Sequence, residues 1–178
     1  MHEEDVIRIC KENGVSNTGA INIPDIDFNE QLRENCKLNT CGRYNTNWTC
    51  PPRVGDFDVL VKKVFEYKHA IVFQNIYELE DSFDYEGMER GSADHYQKTQ
   101  KIAEQIKKLC PDALVLGAGG CRVCKECAAV KNEPCRFPDK AVASMEAYGM
   151  YVSNVASKSG LEYMNGVNTM TYFGMVLY

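Results

Sequence analysis

Four cysteines lie within fifteen residues in the segment CRVCKECAAVKNEPCRFP, which covers residues 121–138. Cys121, Cys124 and Cys127 are evenly spaced by three, and Cys135 follows eight residues later with a proline on either side of it. A disulfide framework, a zinc site, an iron–sulfur cluster and a reactive thiol pair all use clustered cysteines. Most of these structures bring several thiols to one place, so this segment constrains the fold strongly.

The disulfide explanation is the weakest, because the sequence indicates a reducing compartment. The first residues, MHEEDVIRIC, are acidic where a secretory leader is basic, and no apolar run reaches membrane-spanning length. We therefore expect a cytoplasmic protein, in which structural disulfides are rare. The net charge of −5 predicts neither nucleic acid nor membrane as a partner. The nine cysteines, an odd number, are Cys10, Cys36, Cys41, Cys50, Cys110, Cys121, Cys124, Cys127 and Cys135.

The even triple favours an iron–sulfur cluster over zinc. The pattern Cys-x-x-Cys-x-x-Cys allows three thiolates to surround one compact object, as in ferredoxins, although Cys135 stands further from Cys127 than a ferredoxin's fourth cysteine does. Structural zinc sites usually combine two Cys-x-x-Cys pairs across a longer gap, and zinc is the alternative for these four thiols. All three histidines lie outside the cysteine clusters, which predicts an all-thiolate site.

A second group of thiols, Cys36, Cys41 and Cys50, lies in CKLNTCGRYNTNWTCPP. Three thiols do not complete a four-thiolate site, and three arrangements are open. Cys10 or Cys110 supplies the fourth ligand, although a buried structural role suits both better. Alternatively, the proline-adjacent cysteine of this group joins the other segment, as in two-cluster ferredoxins. In the third arrangement, the three thiolates hold a cluster with one iron open to substrate or solvent.

Basic and aromatic side chains accompany both groups of cysteines. Arg43 and Arg53 are expected to offset the negative charge of a cluster and to raise its reduction potential. Tyr44 and Trp48 either shield a cluster from water or pack in the core.

Alternating helix and strand patterns predict an α/β or α+β fold, with one mixed sheet and flanking helices. The length fits a single domain over residues 1–178. Both cysteine segments, residues 36–50 and residues 121–135, fall in strand-to-helix loops, and they would meet at one sheet edge if their strands were parallel. Helices are expected from about 92 to 109 and from Asp139 to Gly149, and a hairpin turn at Asn165-Gly166.

The chain also resembles a known family. The motifs CGRYNTNWTCPP and GCRVCKECAAVKNEPCRFPDKAVASMEAYGMYV, with a hydrophobic C-terminal strand, resemble the "predicted metal-binding protein" family of anaerobic bacteria and archaea. The resemblance covers nearly the whole chain, and it implies cytosolic metal or iron–sulfur binding without an established reaction. Carried onto this sequence, the implied ligands are Cys36, Cys41, Cys50, Cys121, Cys124, Cys127 and Cys135.

Three functions follow from these patterns. The leading hypothesis is a cytosolic protein with one or two 4Fe–4S clusters, which transfers electrons to a redox partner protein or supports an anaerobic redox enzyme. The second is an enzyme that binds its substrate at the open iron of a three-cysteine cluster. The third is a non-catalytic zinc domain that ties two loops together for a partner. No catalytic residue is assigned.

Overall fold

The structure is a computed structural model that describes residues 1–178. It confirms the α+β class, with one sheet and flanking helices. The helices are α1 (Glu3–Glu12), α2 (Gln31–Glu34), α3 (Phe57–Phe65), α4 (Tyr85–Leu109) and α5 (Val152–Lys158). The strands are β1 (Asn17–Ile21), β2 (Ala70–Glu78), β3 (Leu114–Leu116) and β4 (Thr169–Leu177). None of the helices combines the length and the apolar character that crossing a membrane requires.

The four strands form one sheet in the order β1-β2-β4-β3. All three strand pairs are antiparallel, so the sheet is antiparallel throughout rather than mixed. The longest pairing joins β2 to β4, from Ala70 opposite Leu177 to Glu78 opposite Thr169. As a consequence β1 and β3, the edge strands that precede the two cysteine segments, run in opposite directions. The two cysteine segments therefore do not meet at the carboxyl ends of parallel strands. Contacts outside the sheet bring them together.

Both faces of the sheet are covered, which explains why the sequence of β2 reads as a continuous apolar run. Val72 packs on the face shared with α3 and α5, whereas Ile71 and Phe73 pack on the opposite face against α1 and α4. Alternate side chains of a strand point to opposite faces, so a strand buried on both sides needs apolar residues at successive positions.

Helix α4 begins at Tyr85, seven residues before the expected start at Ser92. Asp84 caps it, because its carboxylate accepts a hydrogen bond from the Gly87 amide at 2.7 Å. The acidic stretch before Ser92 resembles a loop in composition, but its acidic residues suit the positive end of a helix dipole.

The expected helix from Asp139 to Gly149 is wrong. The chain forms two short 3₁₀ turns there, Pro138–Lys140 and Glu146–Tyr148. Between them the backbone pairs with Gly117, whose amide donates to the Ala143 carbonyl and whose carbonyl accepts from the Met145 amide. This pairing uses backbone groups that a helix would need for itself.

The expected hairpin at Asn165-Gly166 is also wrong. Strand β4 begins at Thr169 and pairs with β2 and β3, which come much earlier in the chain. The Asn165 side chain donates to the Glu162 carbonyl at 2.9 Å and to the Thr171 hydroxyl at 3.0 Å. The turn therefore directs the chain into the sheet rather than back onto itself.

The first part of the connection from β1 to α3 forms backbone hydrogen bonds with the segment that leads into α5. Phe28 forms an isolated bridge with Met150. The Asn29 amide donates to the Gly149 carbonyl at 2.8 Å, and the Tyr151 amide donates to the Asp27 carbonyl at 2.9 Å. The long connections after β1 and after β3, which carry the two cysteine segments, are thereby held side by side.

We predict that Gly174→Ala destabilises the fold. A Cβ at this position of β4 would overlap the Phe73 ring across the strand pair and would lie 2.8 Å from the Leu116 carbonyl oxygen. Such overpacking typically lowers the free energy of unfolding by about 1–3 kcal/mol, which chemical denaturation measures. The control is Ala20→Ser at an exposed position of β1, expected to stay within about 0.5 kcal/mol of the native chain. An equal effect of the two substitutions would contradict the predicted close contact.

Candidate metal centre

All nine cysteines are free thiols. Cys10 is fully buried in α1, where burial raises the pKa of its thiol to about 12. Cys110 follows the end of α4 and packs at the edge of the same core. Of the other seven cysteines, Cys36 lies in the 3₁₀ turn Asn35–Leu38 and six lie outside helices and strands, and all except the exposed Cys41 are half-buried.

The four thiols of the second cysteine segment share one small cavity. Its walls are mostly apolar and include Trp48 from the first cysteine segment and Phe137. The segment begins just beyond the end of β3, and the Val130 amide bonds the Cys127 carbonyl at 3.1 Å in a short 3₁₀ turn. The cysteines that line the cavity are Cys121, Cys124, Cys127 and Cys135.

The first cysteine segment is a series of tight turns. The Asn39 amide bonds the Cys36 carbonyl at 3.0 Å, and the Gly42 amide bonds the Asn39 carbonyl at 2.9 Å. Asn39 and Gly42 both adopt positive φ, at 52° and 69°, which asparagine and glycine tolerate best. These turns place Cys36 and Cys41 in the wall of one open groove.

The two segments are joined through the backbone of Cys121. Its amide donates to the Thr49 hydroxyl at 2.9 Å, and its carbonyl accepts from the Asn47 side-chain amide at 2.9 Å and from Arg43 Nη1 at 3.0 Å. The Thr49 hydroxyl in turn donates to Asn47 Oδ1 at 3.0 Å, and both side chains are buried. The peptide groups on both sides of a predicted ligand are thus held by side chains of the other segment.

Gly120 allows this close approach. A Cβ on Gly120 would lie 2.8 Å from Cys50 Sγ and 2.8 Å from Arg43 Cδ. The absent side chain therefore makes room for a thiol of the first segment directly beside the second.

Trp48 and Arg53 form a second junction between the segments. Trp48 Nε1 donates to the Glu133 carbonyl at 2.9 Å, and Arg53 Nη2 donates to Asn132 Oδ1 at 2.7 Å. The Arg53 guanidinium also lies over the indole ring, 5.2 Å from its centroid. Of the two roles considered for Trp48, this position in the cavity wall fits the shielding of a site from water better than core packing.

The thiols of the first segment lie close enough to act on one another's charge. Burial raises the pKa of Cys50 to about 11, and its Thr49 hydrogen bond and Arg43 oppose that shift, whereas Cys41 and Cys36 add to it. Burial is also the largest cause of the raised pKa of Cys36, and the nearby Cys41 raises that pKa further. Protonated thiols must lose their protons to bind metal, so metal binding at this segment would release protons.

The histidines are placed away from the cysteine segments. His95 is buried in α4, with Nδ1 2.9 Å from Asn75 Oδ1 and Nε2 3.2 Å from the Phe173 carbonyl oxygen. His69 is opposite Tyr178, with their ring centroids 5.3 Å apart, and His2 lies before the first turn of α1. None of these contacts involves a cysteine of either segment, and the all-thiolate donor set stays a prediction.

The comparison with known families adds a decisive observation. A family model described as "Predicted metal-binding protein (DUF2284)" matches residues 19–178. The chain belongs to this family. The match includes both cysteine segments, and neither a curated protein nor a solved structure matches the chain.

The donor set suits the metal that the family description predicts. No group of three or more cysteine, histidine, aspartate or glutamate side chains is already arranged as a site for one metal ion. The fit therefore rests on the type of donor and on placement: seven unpaired thiols lie in the two cysteine segments, and four of them line one cavity. Thiolates are the ligands that iron–sulfur clusters and structural zinc use.

Several residues of the site do not stand out in the sequence. Tyr96 lies within the helix expected from about 92 to 109, and its hydroxyl accepts from the Arg122 amide at 3.0 Å and lies 3.9 Å from Cys121 Sγ. Asn47 and Thr49 resemble ordinary loop residues. Their position between Gly42 and Cys50, within a cysteine segment, is the one signal that could have identified them.

We predict that Thr49→Val weakens the junction between the two segments. The substitution keeps the shape of the side chain but leaves the Cys121 amide without its acceptor, which costs about 1–3 kcal/mol of the free energy of unfolding. Thr49→Ser keeps the hydroxyl and is expected to remain close to the native value. Chemical denaturation without oxygen measures the effect.

The matched control is Thr46→Val, three residues earlier in the same segment. The Thr46 hydroxyl is exposed and bonds only the Gly42 carbonyl, so its loss is expected to cost no more than about 0.5 kcal/mol. Equal losses for the two valine variants would show that the Cys121 contact is not special.

Proposed function

We propose that this protein is a cytoplasmic iron–sulfur protein in which Cys121, Cys124, Cys127 and Cys135 hold a 4Fe–4S cluster for electron transfer. The observation that carries the proposal is the cavity that these four thiols share. The even triple is typical of cysteines that surround a cluster, and the fourth thiol supplies the remaining ligand.

The surroundings of the cavity support a redox role. The side chains of Trp48 and Phe137 would limit the access of water, which influences the reduction potential of a cluster. Arg136 lines the same cavity, and Arg43 donates to the carbonyl of Cys121, so two cations are available to offset the negative charge of thiolates. A 4Fe–4S cluster, when bound, supplies a one-electron carrier.

The position of the cavity also suits electron transfer to a partner protein. Phe137 in its wall is 46% exposed, and nearby Val130 is 49% exposed. Electron tunnelling weakens steeply with distance, and a cluster beneath such a surface is within reach of a docked partner. We infer that this partner is a redox enzyme of an anaerobic system, because exposed cluster thiolates are sensitive to oxidation.

Analysis of the protein purified without oxygen tests this function. We expect a brown protein with iron and acid-labile sulfide in equal amounts, about four of each for a cluster in the second segment. Cys124→Ser combined with Cys127→Ser should remove that share of both elements. Cys110→Ser, which changes a thiol outside both segments, is the matched control and should leave the content unchanged.

Two results would contradict the proposal. Zinc without sulfide would indicate a structural zinc domain, and unchanged iron in the doubly substituted protein would place the cluster elsewhere. Circular dichroism of each variant establishes that the chain is folded, so that lost iron reports a lost ligand.

A further inference from the structure

We propose that the cavity between the free edge of β3 and residues 138–143 binds a small anionic molecule whose flat ring carries an imide. This group, two carbonyls with an N–H between them, is shared by pyrimidine nucleotides and flavin mononucleotide. The cavity lies at the start of β3, whereas the second cysteine segment begins beyond the other end of that strand. The binding site goes beyond the proposed iron–sulfur function and does not depend on it.

The free edge of β3 presents backbone groups that the sheet does not use. His69 and Tyr178, just before β2 and just after β4, exchange two backbone hydrogen bonds of 3.0 Å. Because hydrogen-bonded pairs alternate along an antiparallel ladder, Leu177 is left to bond its β3 partner, Leu114. Val115, the next residue of β3, therefore directs its amide and its carbonyl to the free side of the strand.

A second stretch of chain meets this edge at Gly117 and separates from it at Val115. The Gly117 amide donates to the Ala143 carbonyl at 2.9 Å, in a parallel bridge. In this register the Ala143 amide would next bond the Val115 carbonyl, but that bond is not made. The Ala143 amide and both groups of Val115 have no hydrogen-bond partner in the protein, although the two residues are only 9% and 4% exposed. Such buried backbone groups favour a ligand that bonds them.

The space between the two stretches of chain is large enough for a ligand. The cavity has a volume of about 890 Å³, which falls within the range of small-molecule sites. Val115 and Ala143 lie in its wall, and together they offer a donor, an acceptor and a second donor. An imide presents the complementary order of carbonyl, N–H and carbonyl, so one flat ring satisfies all three groups.

Tyr148 adds a buried hydroxyl to the same cavity. Its side chain is only 5% exposed, it lines the cavity, and its hydroxyl bonds no group of the protein. Burial raises the pKa of Tyr148 to about 12, so the hydroxyl keeps its proton and is a donor at neutral pH. Tyr67 and Tyr178 also line the cavity, and aromatic rings favour a flat ligand that packs against them.

The charges of the cavity wall favour an anionic group on the ligand. Three lysines and two carboxylates line the cavity: Lys63, Lys68, Lys107, Glu66 and Asp112. None of these five side chains forms an ion pair within the protein. The Lys107 ammonium bonds only the Asp139 carbonyl oxygen, at 2.8 Å. A phosphate group therefore meets an excess of positive charge that no protein carboxylate neutralises.

Isothermal titration calorimetry of the full-length protein tests the site with uridine monophosphate and with flavin mononucleotide. We expect at least one of them to bind with a dissociation constant below about 100 μM. The N3-methylated form of that probe lacks the imide hydrogen and leaves the Val115 carbonyl unpaired, so it should bind at least about tenfold more weakly. The tighter of the two probes identifies the ligand as a pyrimidine nucleotide or as a flavin.

Two variants test whether the probe lies in this cavity. Tyr148→Phe removes only the unpaired hydroxyl, so it should weaken binding at least about fivefold without lowering the midpoint of chemical denaturation. Ala141→Phe fills the cavity from its wall and should weaken binding at least about tenfold, with an unchanged circular dichroism spectrum. A lower midpoint of Tyr148→Phe at unchanged affinity would show a purely structural hydroxyl and would overturn its role.

A pair of adjacent lysines in α3 tests the position of the phosphate. Lys63 lines the cavity and Lys62 does not, although both side chains are exposed. We expect Lys63→Gln to weaken binding of the phosphorylated probe about threefold, and Lys62→Gln, the matched control, to leave it unchanged. Equal effects of the two substitutions would overturn this position.

The remaining outcomes concern this site alone. Failure of both probes to bind would overturn the proposal, and equal binding of the parent and N3-methylated probes would overturn the imide. Binding that Ala141→Phe leaves unchanged would place the probe elsewhere and would also overturn the proposal. None of these variants changes a cysteine, so the iron and sulfide content that tests the proposed function should stay at the native value.

Discussion

The arrangement of the two cysteine segments depends on the hydrogen bonds made by the backbone of Cys121. Its amide and its carbonyl are both bonded by buried side chains of the other segment, Thr49 and Asn47. A buried amide or carbonyl without a partner costs free energy comparable to a lost hydrogen bond. The junction is therefore favourable only when both segments adopt the observed turns, so the geometry of one group of thiols depends on that of the other.

The antiparallel sheet determines where the cysteine segments lie in the fold. Strand β3 is an edge strand, and the second cysteine segment begins where it ends, so the thiols lie at the border of the sheet instead of over its buried faces. The bridge between Phe28 and Met150 then holds the first connection against the second. Burial on both faces of β2 stabilises this frame, and the cysteine segments add to it without interrupting the core.

The two groups of thiols have different surroundings. The four thiols near Trp48 share a small, mostly apolar cavity. Cys36 and Cys41 line an open groove beside Glu146, whereas Cys50 lies beside Gly120 of the second segment. Arg43 lies between the groups, since it contacts the Cys121 carbonyl and approaches Cys50 beside Gly120. A charge change in one group would be felt by the other through this guanidinium.

The sequence alone limited the fold to the α/β or α+β class, with one sheet and flanking helices, and located the two cysteine segments, because hydrophobic period and thiol spacing are local properties. It did not determine that the sheet is antiparallel, since strand direction depends on pairings between residues far apart in the chain. The helix predicted for residues 139–148 was also wrong, because Gly117 forms hydrogen bonds with backbone groups of this segment that a helix would use. The roles of Thr49, Asn47 and Tyr96 depend on where Cys121 lies in space, which only the tertiary structure decides.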